Sequence, residues 1–197
     1  MSQILQSLGK TLVAGLVLLV LIVLIAGAVS GSPVQITLAW ESFFFRWLHV
    51  ASGVMWIGLL WYFNFVQIPS MPKIPDEQKP AISKVIAPEA LFWFRYAALS
   101  TVITGLIVAA LQGYLHAALR LQVGYAAIGI GMWLALIMAF NVWFIIWPNQ
   151  KKALGIVAVE PAAKAAAARL AMLTSRTNTL LSIPMLYMMV AQSHGGL

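Results

Sequence analysis

Apolar residues run almost without interruption through five stretches of the chain, roughly 11–30, 43–66, 91–112, 124–147 and 174–193. Each approaches the ~20 residues that a helix needs to cross the hydrocarbon of a bilayer. The last stretch is the most broken, by Asn178 and Pro184. A proline inside such a helix is tolerated when neighbours satisfy the carbonyl it frees, so the pattern predicts a kink there rather than a loop. Between the second and third stretches, "QIPSMPKIPDEQKPAISKVIAPE" carries five prolines. It reads as extended or irregular at first, with a short helix near 76–87. The segment 160–172, "EPAAKAAAARLAM", opens with a proline and continues in strong helix formers. It is expected to lengthen the fifth span into the cytoplasm or to lie on the membrane surface. Gly27 and Gly31 form one GxxxG pair, a hint of close helix contact.

Composition agrees with this pattern. Apolar residues make up 62% of the chain and charged residues 9%, against roughly 45–50% and about 25% in soluble domains. The expected fold class is an all-α integral membrane protein, a bundle of five transmembrane helices. "AGAVSGS" after the first span resembles a signal-peptide cleavage site; a retained helix is favoured, and cleavage would leave four. Residues 1–39 then form an N-terminal transmembrane helix and outer loop, and residues 40–197 a four-helix membrane domain.

The net charge of +7 does not point to nucleic acid, because the basic residues are spread through loops between apolar spans instead of clustering on one folded face. Their placement encodes orientation. Lys10, Lys73, Lys79, Lys84, Arg95, Lys151, Lys152, Lys164, Arg169 and Arg176 fall on one side, and only Arg46 and Arg120 on the other. The rule that positive loops stay inside puts the N-terminus in the cytoplasm and the C-terminus outside. A multi-pass protein of a bacterial inner membrane is expected.

The chain has no cysteine, which excludes disulfides, thiolate metal sites and haem attached covalently through CxxCH. Any haem is therefore of the b type. All three histidines, His49, His116 and His194, fall toward the outer face in this topology. Arg46, His49, Gly53 and Trp56 line one helical stripe. That stripe offers an imidazole for iron, a glycine that leaves space for a flat macrocycle, an arginine for a propionate and a tryptophan for the porphyrin edge. It equally fits a snorkelling arginine, an interfacial tryptophan and a histidine bonded to a neighbouring helix; spacing leaves both readings open. A second polar group, Asn64, Gln67, Arg95, Asn141, Arg176 and Asn178, lies toward the cytoplasm. It suits either an anion or substrate pocket or interhelical hydrogen bonds, the structural role being favoured.

Three ordered motifs, "RWLHVASGVMWIGLLWYFNFVQIP", "NVWFIIWPNQKK" and "SRTNTLLSIPMLYMM....H", resemble the membrane domain of bacterial membrane-bound urate oxidases (urate hydroxylases), most closely the short stand-alone members. The first motif also resembles elements of haem-containing membrane protoporphyrinogen oxidases and copper-resistance membrane proteins. The resemblance implies a helical bundle holding haem b and a redox function. His49 becomes the first candidate iron ligand and His194 a second ligand or pocket residue, with His116 as fallback; no catalytic residue is assigned. Full-length members resemble a longer membrane domain followed by a cytochrome c. Electrons from urate would here pass to a separate periplasmic cytochrome c. The alternative is a non-catalytic accessory subunit of a larger respiratory or photosynthetic complex; a homo-oligomer is also compatible. A transporter is disfavoured, since no inverted repeat is visible.

Overall fold

The computed structural model describes residues 2–196, and among them the regular structure is helical. In chain order the α-helices are α1 (Ser2–Leu5), α2 (Leu8–Ser30), α3 (Leu38–Trp61), α4 (Ile68–Ser70), α5 (Lys79–Ala81), α6 (Ala87–Leu111), α7 (Leu115–Leu119), α8 (Ala126–Phe140), α9 (Trp147–Ala153) and α10 (Pro161–His194). Several run on into one another. Four helical runs are long and apolar enough to cross a membrane: Leu8–Ser30, Leu38–Lys73, Lys79–Leu111 and Ala126–Ala153. The fifth expected stretch lies within α10, which is not one of these four. Arg176, Thr177, Asn178, Thr179 and Gln192 dilute its apolar character. The segment 160–172 forms the first part of this same helix, and Pro184 lies inside it.

Three wide π turns interrupt the long runs, at Tyr62–Gln67, Ile82–Ile86 and Asn141–Ile146. Each is followed, two residues after its end, by a proline: Pro69, Pro88 and Pro148. The cause is local. Proline lacks the amide hydrogen for the i→i−4 bond, and its ring crowds the carbonyl one turn earlier, so the preceding turn widens instead of breaking. The third of these turns carries the segment between α8 and α9 past what would otherwise be a break. In the second, the helix expected near 76–87 begins at Lys79 and continues into α6, where the sequence pattern suggested a short, separate piece.

Contacts divide the chain into two units, Met1–Glu41 and Ser42–Leu197. In the first, Gly27 is the buried residue of α2 and the other side chains are exposed or half-exposed. The Gly27–Gly31 pair ends this helix: Gly31 takes φ 65°, and the Ser32 N–H donates to the Gly27 carbonyl at 3.0 Å. A side chain at 27 would sit 3.3 Å from the Pro33 Cα. These glycines thus serve a left-handed helix cap.

The second unit is a helical bundle. Its core joins Trp56, Leu60 and Phe63 to Leu91, Phe94 and Ala98, and to Met138, Val142, Ile146 and Met185. Thus α3, α6, α8, the turn after α8, and α10 all share one core. Close approach sets α8 against α7: a side chain at Gly129 would run into the Ala118 carbonyl oxygen, so only glycine fits there.

Candidate functional site

His49 projects from α3 toward α6. Its Nδ1 lies 2.8 Å from the backbone oxygen of Thr101. A carbonyl only accepts, so Nδ1 carries the hydrogen and donates it, leaving the Nε2 lone pair uncommitted in the neutral ring. The ring can come this close because residue 105 is glycine. A methyl group at Gly105 would meet the imidazole Cε1 at 2.8 Å and Nδ1 at 2.9 Å. One turn away, Ser52 and Ser100 share a hydroxyl hydrogen bond of 2.8 Å. The Thr101 and Thr104 hydroxyls turn back onto the carbonyls of Ala97 and Ser100, so both are satisfied within α6, and the Thr101 carbonyl, which the Thr104 hydroxyl also approaches at 3.3 Å, receives the histidine.

The other members of the stripe behave differently. Arg46 is exposed and lies near Tyr114, whose phenol its charge acts upon. Gly53 has room to spare: a methyl group there would touch only the Thr101 Cγ2, at 3.9 Å. Trp56 is fully buried, a member of the core, and its indole Nε1 has no partner. His116, on α7, is exposed, as is His194 at the end of α10. The His194 Nδ1 is bonded to the Val190 carbonyl at 3.1 Å, which leaves its Nε2 free as well. No group of three histidine, cysteine or carboxylate side chains gathers for a metal among the described residues.

The cytoplasm-side polar residues form two linked sets. Asn64, in the first π turn, donates through Nδ2 to the Leu60 carbonyl at 2.9 Å and to the Ser175 hydroxyl of α10 at 2.8 Å. Asn141, at the start of the third π turn, donates to the Asn178 side-chain oxygen at 2.8 Å. Asn178, itself fully buried, donates onward to the Met138 carbonyl at 2.9 Å. Trp61 Nε1 reaches the Ser182 hydroxyl at 3.0 Å. The wide turns matter here, because a π turn leaves carbonyls to be satisfied and displaces side chains from the ordinary helical register. Asn64, Asn141 and Asn178 are therefore clasps between helices. Arg176 is exposed and takes no part.

Arg95 is the exception. It is buried to 8% exposure, and its Nε and Nη1 are buried without any hydrogen-bond partner. Its guanidinium carbon sits 3.3 Å above the ring centre of Trp147. Gln67 Oε1 and Trp143 Nε1 are likewise buried and unpartnered.

Sequence reasoning did not find Thr101, Gly105, Ser175, Trp143 or Trp147. The run "STVITG" ending at Gly105, small and hydroxylated within an apolar helix, was the signal available for the first two.

The chain's likeness to known proteins lies in its C-terminal part. Residues 120–196 match the family described as urate oxidase N-terminal. The match takes in α8, α9 and α10, and with them Asn141, Arg176, Asn178, His194 and two of the three motifs. His49 and its stripe precede it. No curated protein and no solved structure was found to match the chain.

Proposed function

We propose that the chain is a haem b-binding redox protein of a bacterial inner membrane, related to the urate oxidases. His49 would hold the haem iron, and the electrons released would go to a separate cytochrome c. The observation that carries this reading is the His49 hydrogen bond to Thr101. An iron-ligating histidine characteristically commits its other ring nitrogen to a carbonyl or carboxylate, which sets the tautomer and aims the ligand. Here the Thr101 carbonyl holds Nδ1 and the glycine at 105 admits the ring. The residues present therefore fit an imidazole that could hold iron through Nε2. A haem held there would supply one-electron chemistry for oxidation of a heterocycle such as urate. His194, with Nδ1 occupied and Nε2 free, is the second-ligand candidate, and His116 the fallback. Arg46, at the exposed end of the stripe, suits a propionate.

In this reading α10 forms the fifth span, the N-terminus is cytoplasmic and the C-terminus outside, so His49 lies toward the periplasmic face. The test is a reduced-minus-oxidised spectrum of protein purified from cells supplied with haem. A b-type band that disappears in His49→Ala supports the reading, and protein without any chromophore refutes it. A second reading, an accessory subunit of a larger electron-transfer complex, draws on the exposed apolar length of α2. Co-purification with such a complex, without a band or urate turnover, would favour it.

A further inference from the structure

An apolar groove of about 440 Å³ runs along the second unit, lined by Leu99, Val102, Leu136, Phe140, Trp143 and Phe144. Its rims are open: Leu99, Phe140 and Phe144 are 40%, 54% and 68% exposed. In a span of this apolarity, such a face meets lipid. Its walls are two helical stripes. One follows α6, where Leu99 and Val102 continue the line of Arg95, one and two turns on. The other follows Phe140, Trp143 and Phe144 toward Trp147.

Both stripes therefore lead to the same end, where Arg95 rests on Trp147 with its guanidinium carbon 6.0 Å from the ring centre of Trp143, a groove-lining residue. At that end three N–H donors are buried and bonded to nothing: Nε and Nη1 of Arg95 and Nε1 of Trp143. Among the described residues, the ion pair forms elsewhere, between Lys79 and Asp76, and no carboxylate pairs with Arg95. A buried guanidinium without a counter-charge is costly, and an anion's oxygens would remove that cost.

We propose that this groove binds a single-chain amphiphilic carboxylate, a fatty acid, from the bilayer. Its apolar chain lies along Leu99, Val102, Phe140 and Phe144, and its carboxylate meets Arg95. A guanidinium donates charge-assisted hydrogen bonds to a carboxylate, and Nε of Arg95, buried and unpartnered, is a donor for one of its oxygens. Trp143 Nε1 supplies a further donor. The groove, a turn or two long on α6 and little longer on the facing helix, suits one chain. The inference does not depend on haem at His49.

The test uses the full chain in neutral detergent and a brominated fatty acid, whose chain quenches Trp143 and Trp147 on binding. Saturable quenching, competed by the unlabelled fatty acid, is expected. The methyl ester of the same acid should bind roughly tenfold or more weakly, the factor that loss of about 1.4 kcal/mol produces. Arg95→Gln should weaken the acid by a similar factor and leave the ester unchanged. Equal binding of acid and ester to the unaltered protein would overturn the proposal and reduce the groove to ordinary lipid contact; this comparison holds even if Arg95→Gln does not fold. Saturation by a brominated phosphatidylglycerol that the fatty acid fails to displace would also overturn it, in favour of a phosphate-headed lipid. The haem spectrum is a separate readout, so either idea can fail alone.

Discussion

Gly105→Ala and Gly53→Ala place the same methyl group on either side of the His49 contact, and the structure assigns them different outcomes. At Gly53 the methyl meets only the Thr101 Cγ2 at 3.9 Å, an ordinary contact. Replacing glycine by alanine inside a helix there should stabilise the fold by about 0.5–1 kcal/mol. At Gly105 the same gain is available, but the methyl would lie 2.8 Å from the imidazole. The ring is the mobile end of a side chain, so it swings away, and the 2.8 Å bond to Thr101 is lost. Interhelical polar bonds in membranes average about 0.6 kcal/mol and reach about 1.7. Gly105→Ala should therefore be close to neutral, and less stable than Gly53→Ala by about 0.6–1.7 kcal/mol. A double-mutant cycle isolates the difference. In a His49→Ala background the bond is already absent, so Gly105→Ala should recover the full gain of about 0.5–1 kcal/mol. The assay is reversible unfolding in mixed detergent micelles. Should the two glycine variants prove equally stable in both backgrounds, with coupling below about 0.3 kcal/mol, the imidazole does not occupy the place described.

Three further outcomes are expected. Asn178→Leu removes a fully buried clasp that bonds both Met138 and Asn141; it should cost about 1–3 kcal/mol in the same unfolding assay, and an unchanged midpoint would remove Asn178 from the core. Tyr114 lies beyond the end of α6, and burial pushes its phenol above the usual value of 10.0, while the charge of Arg46 acts in the opposite direction. Because the folded value is the higher one, the associated stability is fully present below about pH 10 and is lost as pH rises through the folded value. A phenolate absorbance titration should show one tyrosine ionising late, and later still in Arg46→Gln. In the haem spectrum, Gly105→Ala should diminish or shift the band that Gly53→Ala leaves alone; identical spectra would separate the Thr101 bond from ligand orientation.

How much of this was legible beforehand follows from the range of the forces involved. Membrane-crossing runs are sums of local apolarity, so 11–30, 43–66, 91–112 and 124–147 could be marked from the residues alone, with ends shifted where helices continued through prolines. Prolines 69, 88 and 148 also act locally, on the turn just before them. His49 stood out because an imidazole in a hydrocarbon-length run needs a partner. Which partner it takes was not legible. That depends on the rotation and depth of α3 against α6, and spans apolar on every side carry no polar face from which rotation can be read. Only the packed bundle puts Thr101 and Gly105 beneath the imidazole, joins Asn64 to Ser175 across 111 residues of chain, and leaves Arg95 stacked on Trp147 with donors unmet. Those pairings are contacts between distant segments, and they exist only once the helices have closed on one another.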